Sequence, residues 1–223
     1  MTPYKLQKKD FIEMEFTGKI KETGQIFDSN SKEELEKMHA GHDHPIEAKP
    51  FIYCLGEGMF LEGADKKIIG QEIGKHKIEL NAEEAFGNRM KELVQTIPMK
   101  IFIQHKINPV KGATMNFDGR VGKVLSVSGG RVLIDFNHPL AGKDLVYEID
   151  IKRKIDDLNE KINGFNNFLF KKDLSFKIDG KKIVYEISDN PENENMKKFI
   201  ELFKDKFKDI FDMDLEVNEI KEI

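Results

Sequence analysis

Tryptophan is absent from this chain of 223 residues, and cysteine occurs once, as Cys54. One cysteine cannot close an internal disulfide, so the fold is expected to stand without covalent staples; the apolar run around Cys54 points to a buried thiol. No stretch approaches the roughly 20 apolar residues of a membrane span, and MTPYKLQKKD at the start lacks the apolar centre of a signal peptide. The expectation is a cytoplasmic protein with no membrane partner. A surplus of positive charge is missing too. Residues 1–153 carry 23 basic and 23 acidic side chains, and the formal charge of −4 arises beyond them, where 13 basic meet 17 acidic. Phosphate backbones are bound by net basic surfaces, so the charge balance argues against nucleic acid as principal partner and weakens a reading as a ribosome- or RNA-associated factor. With 34% charged and 39% apolar residues the balance is globular rather than disordered, and the length admits two domains. Abundant Lys, Glu and Ile without Trp is compatible with a heat-adapted source.

What is present is organised around Tyr53 to Ile69, YCLGEGMFLEGADKKII. Gly56 and Gly58 permit a tight turn, and Met59, Phe60, Leu61, Ala64 and Ile68 then recur at helical spacing. Phe11, Ile12, Met14 and Phe16 mark a strand within residues 8–20; Glu22-Thr23-Gly24 turns the chain, and Gln25 to Asp28 returns as a second strand. Asp28 is either a plain turn or cap residue before Ser29-Asn30 or a polar group at the rim of an aromatic pocket. The polar stretch that follows holds His39, His42 and His44, which read as a solvated loop or, alternatively, as a loose zinc or nickel chelator. After a turn at Gly70 to Gly74, a strand runs from Lys75 to Asn81. The class expected is α+β.

Taken together, Phe16-Thr17-Gly18, Phe27-Asp28-Ser29, the glycines 56, 58 and 63, Glu84-Ala85-Phe86-Gly87 and Asn137-His138-Pro139-Leu140-Ala141-Gly142 resemble the FKBP-type peptidyl-prolyl isomerases, most of all the long, SlyD-like branch. The resemblance covers roughly residues 5–153. It implies a bent antiparallel sheet wrapped on one short helix, built from residues 1–86 and 138–153, with residues 87–137 inserted as a chaperone-like β domain. It also implies a rotamase that aids folding of unfolded, proline-containing clients and needs no cofactor or metal. The site residues implied are Asp28, Leu61, Phe86 and Tyr147 for catalysis and Phe16, Phe27, Phe60, Ala64 and His138 for substrate binding, the Leu61 N–H gripping a substrate carbonyl. Three departures from the family pattern stand out. Phe16 and Phe86 replace tyrosines, and Ala64 replaces the tryptophan of the pocket floor, which weakens the expectation of macrolide binding and of strong catalysis. The histidine- and cysteine-rich tail of SlyD has no counterpart, so its nickel role is not carried over.

The chemistry asks for little more. Rotation about an X–Pro bond is slow because of partial double-bond character, and a dry, aromatic-walled pocket with one or two donors suffices to favour the twisted amide. In the insert, Leu93 to Ile97, Ala113 to Phe117, Gly122 to Val127 and Arg131 to Phe136 read as strands, with Ser128-Gly129-Gly130 as a hairpin turn. Leu93, Val94, Ile97, Met99, Ile101, Phe102 and Ile103 form an apolar run broken by Pro98, divided between strand core and exposed sticky surface. A boundary is drawn near Lys154. Beyond it, Ile155, Leu158 and Ile162 suggest a helix ending near Gly164; Leu174 to Ile178 and Ile183 to Ile187 form a hairpin about Asp179-Gly180. Asn190 caps a helix begun by Pro191, and Met196, Phe199, Ile200, Phe203, Phe207, Ile210 and Phe211 make one apolar stripe before a last strand from Leu215 to Ile220. That Phe-rich face packs either inside the chain or against a second copy, giving a homodimer. The rival function is a non-catalytic holdase that captures non-native chains.

Overall fold

The computed structural model describes residues 4–38, 49–172, 174–188 and 191–220. Strand β1 (Phe11–Ile20) is followed by β2 (Ile26–Ser29), helix α1 (Lys32–Met38), β3 (Phe51–Cys54), α2 (Glu62–Ile68) and β4 (Gly74–Leu80). Next come β5 (Val94–Pro98), α3 (Met99–Gln104), β6 (Thr114–Phe117), β7 (Arg120–Ser128) and β8 (Arg131–Asp135). The remainder comprises β9 (Leu145–Ile155), α4 (Leu158–Phe170), β10 (Phe176–Asp179), β11 (Lys182–Ser188), α5 (Pro191–Glu201), α6 (Lys204–Phe211) and β12 (Asp214–Ile220). The class is α+β. One sheet has the order β2-β1-β9-β4, with β3 antiparallel on β1 so that Phe11 faces Cys54 and Met14 faces Phe51. No helix among the described residues is long and apolar enough to cross a membrane.

The chain divides into two compact units. One holds Met1–Thr17, Ser29–His76 and Glu148–Ile223; the other holds Gly18–Asp28 and Lys77–Tyr147. In the first, β1 and β3 bury Ile12, Met14, Tyr53 and Cys54, and α2 adds Ala64 and Ile68. The residues beyond Lys154 pack on this core. Phe11 lies 5.5 Å from Phe211 between ring centroids, Phe165 lies 5.1 Å from Phe207, and Lys9 bridges to Asp209 at 2.8 Å. The intramolecular alternative therefore holds for Ile200 and Phe207 of the Phe-rich face, both fully buried. Their sheet has the order β10-β11-β12: a hairpin at Gly180, with φ +55°, joins the first pair, and β12 returns parallel to β11 after two helices, as a parallel connection requires.

Two helix expectations need correction. Helix α4 does not stop near Gly164 but runs to Phe170 and ends at Lys171 in the left-handed region, φ +54°. Gly164 is there for contact, because a Cβ on it would stand 2.4 Å from Ile52 Cγ2. The long apolar stripe is also not one helix. It breaks at Leu202-Phe203, where the Phe203 N–H turns back to the Ile200 carbonyl, so Ile200 and Phe207 face inward while Leu202 stays 78% exposed. The expected cap Asn190 lies outside the described residues.

In the second unit, β5-β8-β7-β6 form an antiparallel sheet close to the strands read from the sequence. Its core is Phe102, Val124, Val132 and Ile134. The apolar run splits at Pro98: Val94 to Pro98 is strand, and Met99 to Gln104 is helix, burying Phe102 and leaving Ile103 67% exposed. Proline lacks an N–H for the sheet but is tolerated where a helix starts, so the element changes there.

Candidate active site

In the first unit the chain after β3 turns at Gly56 and Gly58, both at positive φ (+78° and +77°), a conformation costly for any side chain with a Cβ. Leu61 caps α2 in an extended conformation, its carbonyl accepting from the N–H groups of Ala64 and Asp65 at 2.9 Å. The N–H of Leu61 donates to nothing among the described residues. Ahead of it stands an aromatic set: Phe16 lies edge-on to Phe60 at 5.2 Å and to Phe51 at 5.8 Å, and Phe51 stacks on Tyr53 at 4.9 Å. Ala64 is fully buried. Phe51 and Tyr53 are not among the site residues the sequence suggested; their alternation in a four-residue strand is the signal that could have found them.

A buried carboxylate, also missed, holds this turn in place. Asp65 accepts the Tyr53 hydroxyl at 3.1 Å and the Gly56 N–H at 3.0 Å. Burial pushes its pKa up to about 6 against those two bonds, and the nearby Glu57 adds to the rise. The strand carrying Phe16 is pinned by Asn30, whose Oδ1 accepts the Phe16 N–H at 2.7 Å and whose Nδ2 donates to the Met14 carbonyl at 2.9 Å. The Ser29 hydroxyl donates to the Phe16 carbonyl at 2.9 Å. Ser29-Asn30, which read as turn residues, thus brace the β1 strand.

In the second unit a further ring set forms around Gly18. A Cβ there would stand 2.7 Å from Phe27 Cζ and 2.9 Å from Tyr147 Cε1, so glycine lets both rings lie against the backbone. Phe27 meets Tyr147 edge-on at 5.7 Å and Phe86 at 6.4 Å, and Phe86 stacks on His138 at 4.3 Å, nearly parallel. His138 is more than a turn residue. Its Nδ1 accepts the Leu140 N–H at 3.2 Å, which leaves the proton on Nε2 and fixes the ring over Phe86. Tyr147 is buried; burial first, and the charge of exposed Asp28 second, push its phenol well above the usual range, so it keeps its proton as a donor.

The Asn137 motif and the Phe86-Gly87 motif close the root of the insert. Asn137 exchanges bonds with Met90 at 2.8 and 2.9 Å, and the Gly142 N–H reaches the Gly87 carbonyl at 2.8 Å. Asp135 accepts Asn137 at 2.7 Å and pairs with Arg89. A hollow of about 1030 Å³ lies in this unit, lined by Phe27, His138 and Leu140 together with Val121 and Phe136 of the insert. Sequence-expected residues thus fall into two groups: Phe16, Phe60, Leu61 and Ala64 in one unit, and Phe27, Asp28, Phe86, His138 and Tyr147 in the other. His39, His42 and His44 lie outside the described residues.

The Leu61 N–H of the first unit, free among the described residues, and the ring set around Gly18 in the second are each suited to contact with a peptide. Residues 95–140 match the family described as "FKBP26, IF domain". The chain is 29% identical over 148 residues to a short-type peptidyl-prolyl cis-trans isomerase of Methanocaldococcus jannaschii, covering 66% of this chain and 92% of that one. It is 31% identical over 109 residues to the FKBP-type 16 kDa peptidyl-prolyl cis-trans isomerase of Escherichia coli (46% and 72%). With SlyD of Aeromonas hydrophila it shares 30% identity over 115 residues, 49% of this chain and 53% of that one. The chain belongs to the FKBP-type peptidyl-prolyl cis-trans isomerases and is an enzyme of that class.

Proposed function

We propose that this isomerase is also a folding chaperone: it rotates X–Pro bonds in polypeptides that its insert holds. The observation that carries this is the hollow of about 1030 Å³, whose lining combines the motif residues Phe27 and His138 with Val121 and Phe136 of the insert. Exposed Ile101, Ile103, Val121 and Val127 add apolar surface on the same inserted unit. A client held there is presented repeatedly at high effective concentration, which compensates for phenylalanine at positions 16 and 86, where the family resemblance implies tyrosine.

In this reading Asp28, Leu61, Phe86 and Tyr147 carry catalysis, and Phe16, Phe27, Phe60, Ala64 and His138 recognise the prolyl segment. The barrier of roughly 20 kcal/mol falls when water is stripped from the amide and the twisted bond is favoured over either planar form. The Leu61 N–H is a donor for a carbonyl that loses conjugation as the bond twists, and the phenylalanines take up the ring with little rotamer entropy to lose. Isomerisation of a proline tetrapeptide by the full chain tests the assignment. Phe86→Ala is expected to lower kcat/KM about tenfold or more, through loss of an aromatic wall and of the surface on which His138 stacks. Rates equal to wild type in both Phe86→Ala and Asp28→Ala would favour the rival, a non-catalytic holdase, for which the exposed apolar residues of the insert are the supporting observation.

The proposed setting is the cytoplasm, supported by a lone buried thiol. A homodimer through the C-terminal residues is proposed on the exposure of Phe199 (41%) and Leu202 (78%). Leu202→Glu is expected to halve the solution mass, read by light scattering.

A further inference from the structure

Helix α4 carries Asn159, Asn163 and Asn167 at four-residue spacing, all exposed, along a groove of about 460 Å³. Their carboxamides bond to nothing among the described residues, although each offers a donor and an acceptor. Across the groove stands Phe51, on a strand whose single strand neighbour among the described residues is β1. Asp157 lines one end of the groove and Lys171 the other.

From these features we propose that the groove binds an extended polypeptide segment by its backbone. Four helical residues advance about 6 Å along the axis. In an extended chain, peptide groups facing one side recur every two residues, at about 6.7 Å. Three carboxamides at that pitch match three alternate peptide groups, each able to accept one bond and donate another. Asp157 and Lys171 are 14 residues apart, about 21 Å of helix, enough for roughly six extended residues with a basic side chain at one end and an acidic one at the other. Gly164 places the helix directly on Ile52, which holds the amide row at a fixed distance from the strand. The site reads backbone rather than proline; it shares the Phe51 ring with the aromatic set around Phe16, but its amide row on α4 includes none of the isomerase residues.

The probe is a fluorescein-labelled, proline-free decapeptide with Lys near one end and Glu near the other, titrated with the full chain and followed by anisotropy. A second peptide has alternate backbone nitrogens methylated. Expected are saturable binding of the first, binding at least about tenfold weaker by Asn159→Ala/Asn163→Ala/Asn167→Ala, and a comparable loss with the methylated peptide. Tetrapeptide isomerisation should be unchanged, which separates this site from the isomerase reading. Alanine favours helix more than asparagine does; Asn163→Leu, which fills the groove, is a second variant with the same expected loss. Absence of binding at millimolar protein, undiminished binding by both variants, or equal binding of the methylated peptide would overturn the proposal. So would a change in solution mass of the triple variant with peptide binding intact, because the groove would then serve contact between copies.

Discussion

Asp65 shows how much can hang on one side chain. Its carboxylate joins Gly56 and Tyr53 to α2, yet burial raises its pKa from 3.8 to about 6. Between those values the folded chain holds a proton that the unfolded chain has released. This group's contribution to stability therefore falls as pH rises from below about 4 to above about 6. Urea denaturation at pH 4 and at pH 7 should show that fall in wild type, and Asp65→Asn should flatten it. Cys54 is the opposite case, a group silenced by its surroundings. Burial, reinforced by Glu57, pushes its thiol to about 12, so almost no thiolate exists at pH 8. Iodoacetamide should leave the native chain unmodified over hours and label it stoichiometrically in denaturant, as mass spectrometry would show.

At the scale of elements, α4 is where packing overrides local preference. Glycine disfavours a helix interior by about 1 kcal/mol relative to alanine, so an isolated helix would gain from Gly164→Ala. Here the new methyl meets Ile52 Cγ2 at 2.4 Å and the Ile52 carbonyl oxygen at 3.3 Å. Overpacking of this kind typically costs about 1–3 kcal/mol, which outweighs the propensity gain. A lower Tm is expected for Gly164→Ala, with partial recovery in Gly164→Ala/Ile52→Ala; an unchanged Tm would show that α4 and β3 are not in firm contact. The Phe-rich stripe splits into α5 and α6 where the Phe203 N–H bonds to the Ile200 carbonyl, and Ile200 on the first helix and Phe207 on the second are both buried.

For the whole molecule, the inserted sheet has a core of its own in Phe102, Val124, Val132 and Ile134, and its root is tied by Asn137 and Met90. Replacing residues 91–136 with a short glycine-serine loop is expected to leave tetrapeptide isomerisation within a few-fold of wild type. Proline-limited refolding of an unfolded protein substrate should slow by about tenfold or more, since effective concentration is lost while the chemistry remains. Equal losses on both substrates would mean that the insert shapes the catalytic residues themselves.

Much of this was legible in the residues because strands and short helices follow from local periodicity. Phe11 to Phe16, the four strands of the insert and the Gly180 hairpin all lie close to where alternation and turn glycines put them. The ring partners Phe27, Phe86 and His138 were legible through motifs, since glycines and aromatics at fixed offsets leave few ways to pack. Less could be read where a residue's role depends on something distant in sequence. Gly164 looked like a helix stop because nothing nearby reveals Ile52, 112 positions earlier. Asp65 looked like any helical acid because its burial is decided by Tyr53 and the Gly56 turn folding over it. The amino-acid sequence by itself determined the family and most of the elements, both of which rest on short-range pattern. Only the tertiary structure decided that the C-terminal residues pack on β1 and β3, that Asp65 is buried, and that three asparagines face an open groove. Burial and unmet hydrogen bonds are properties of surfaces brought together, and no local pattern specifies them.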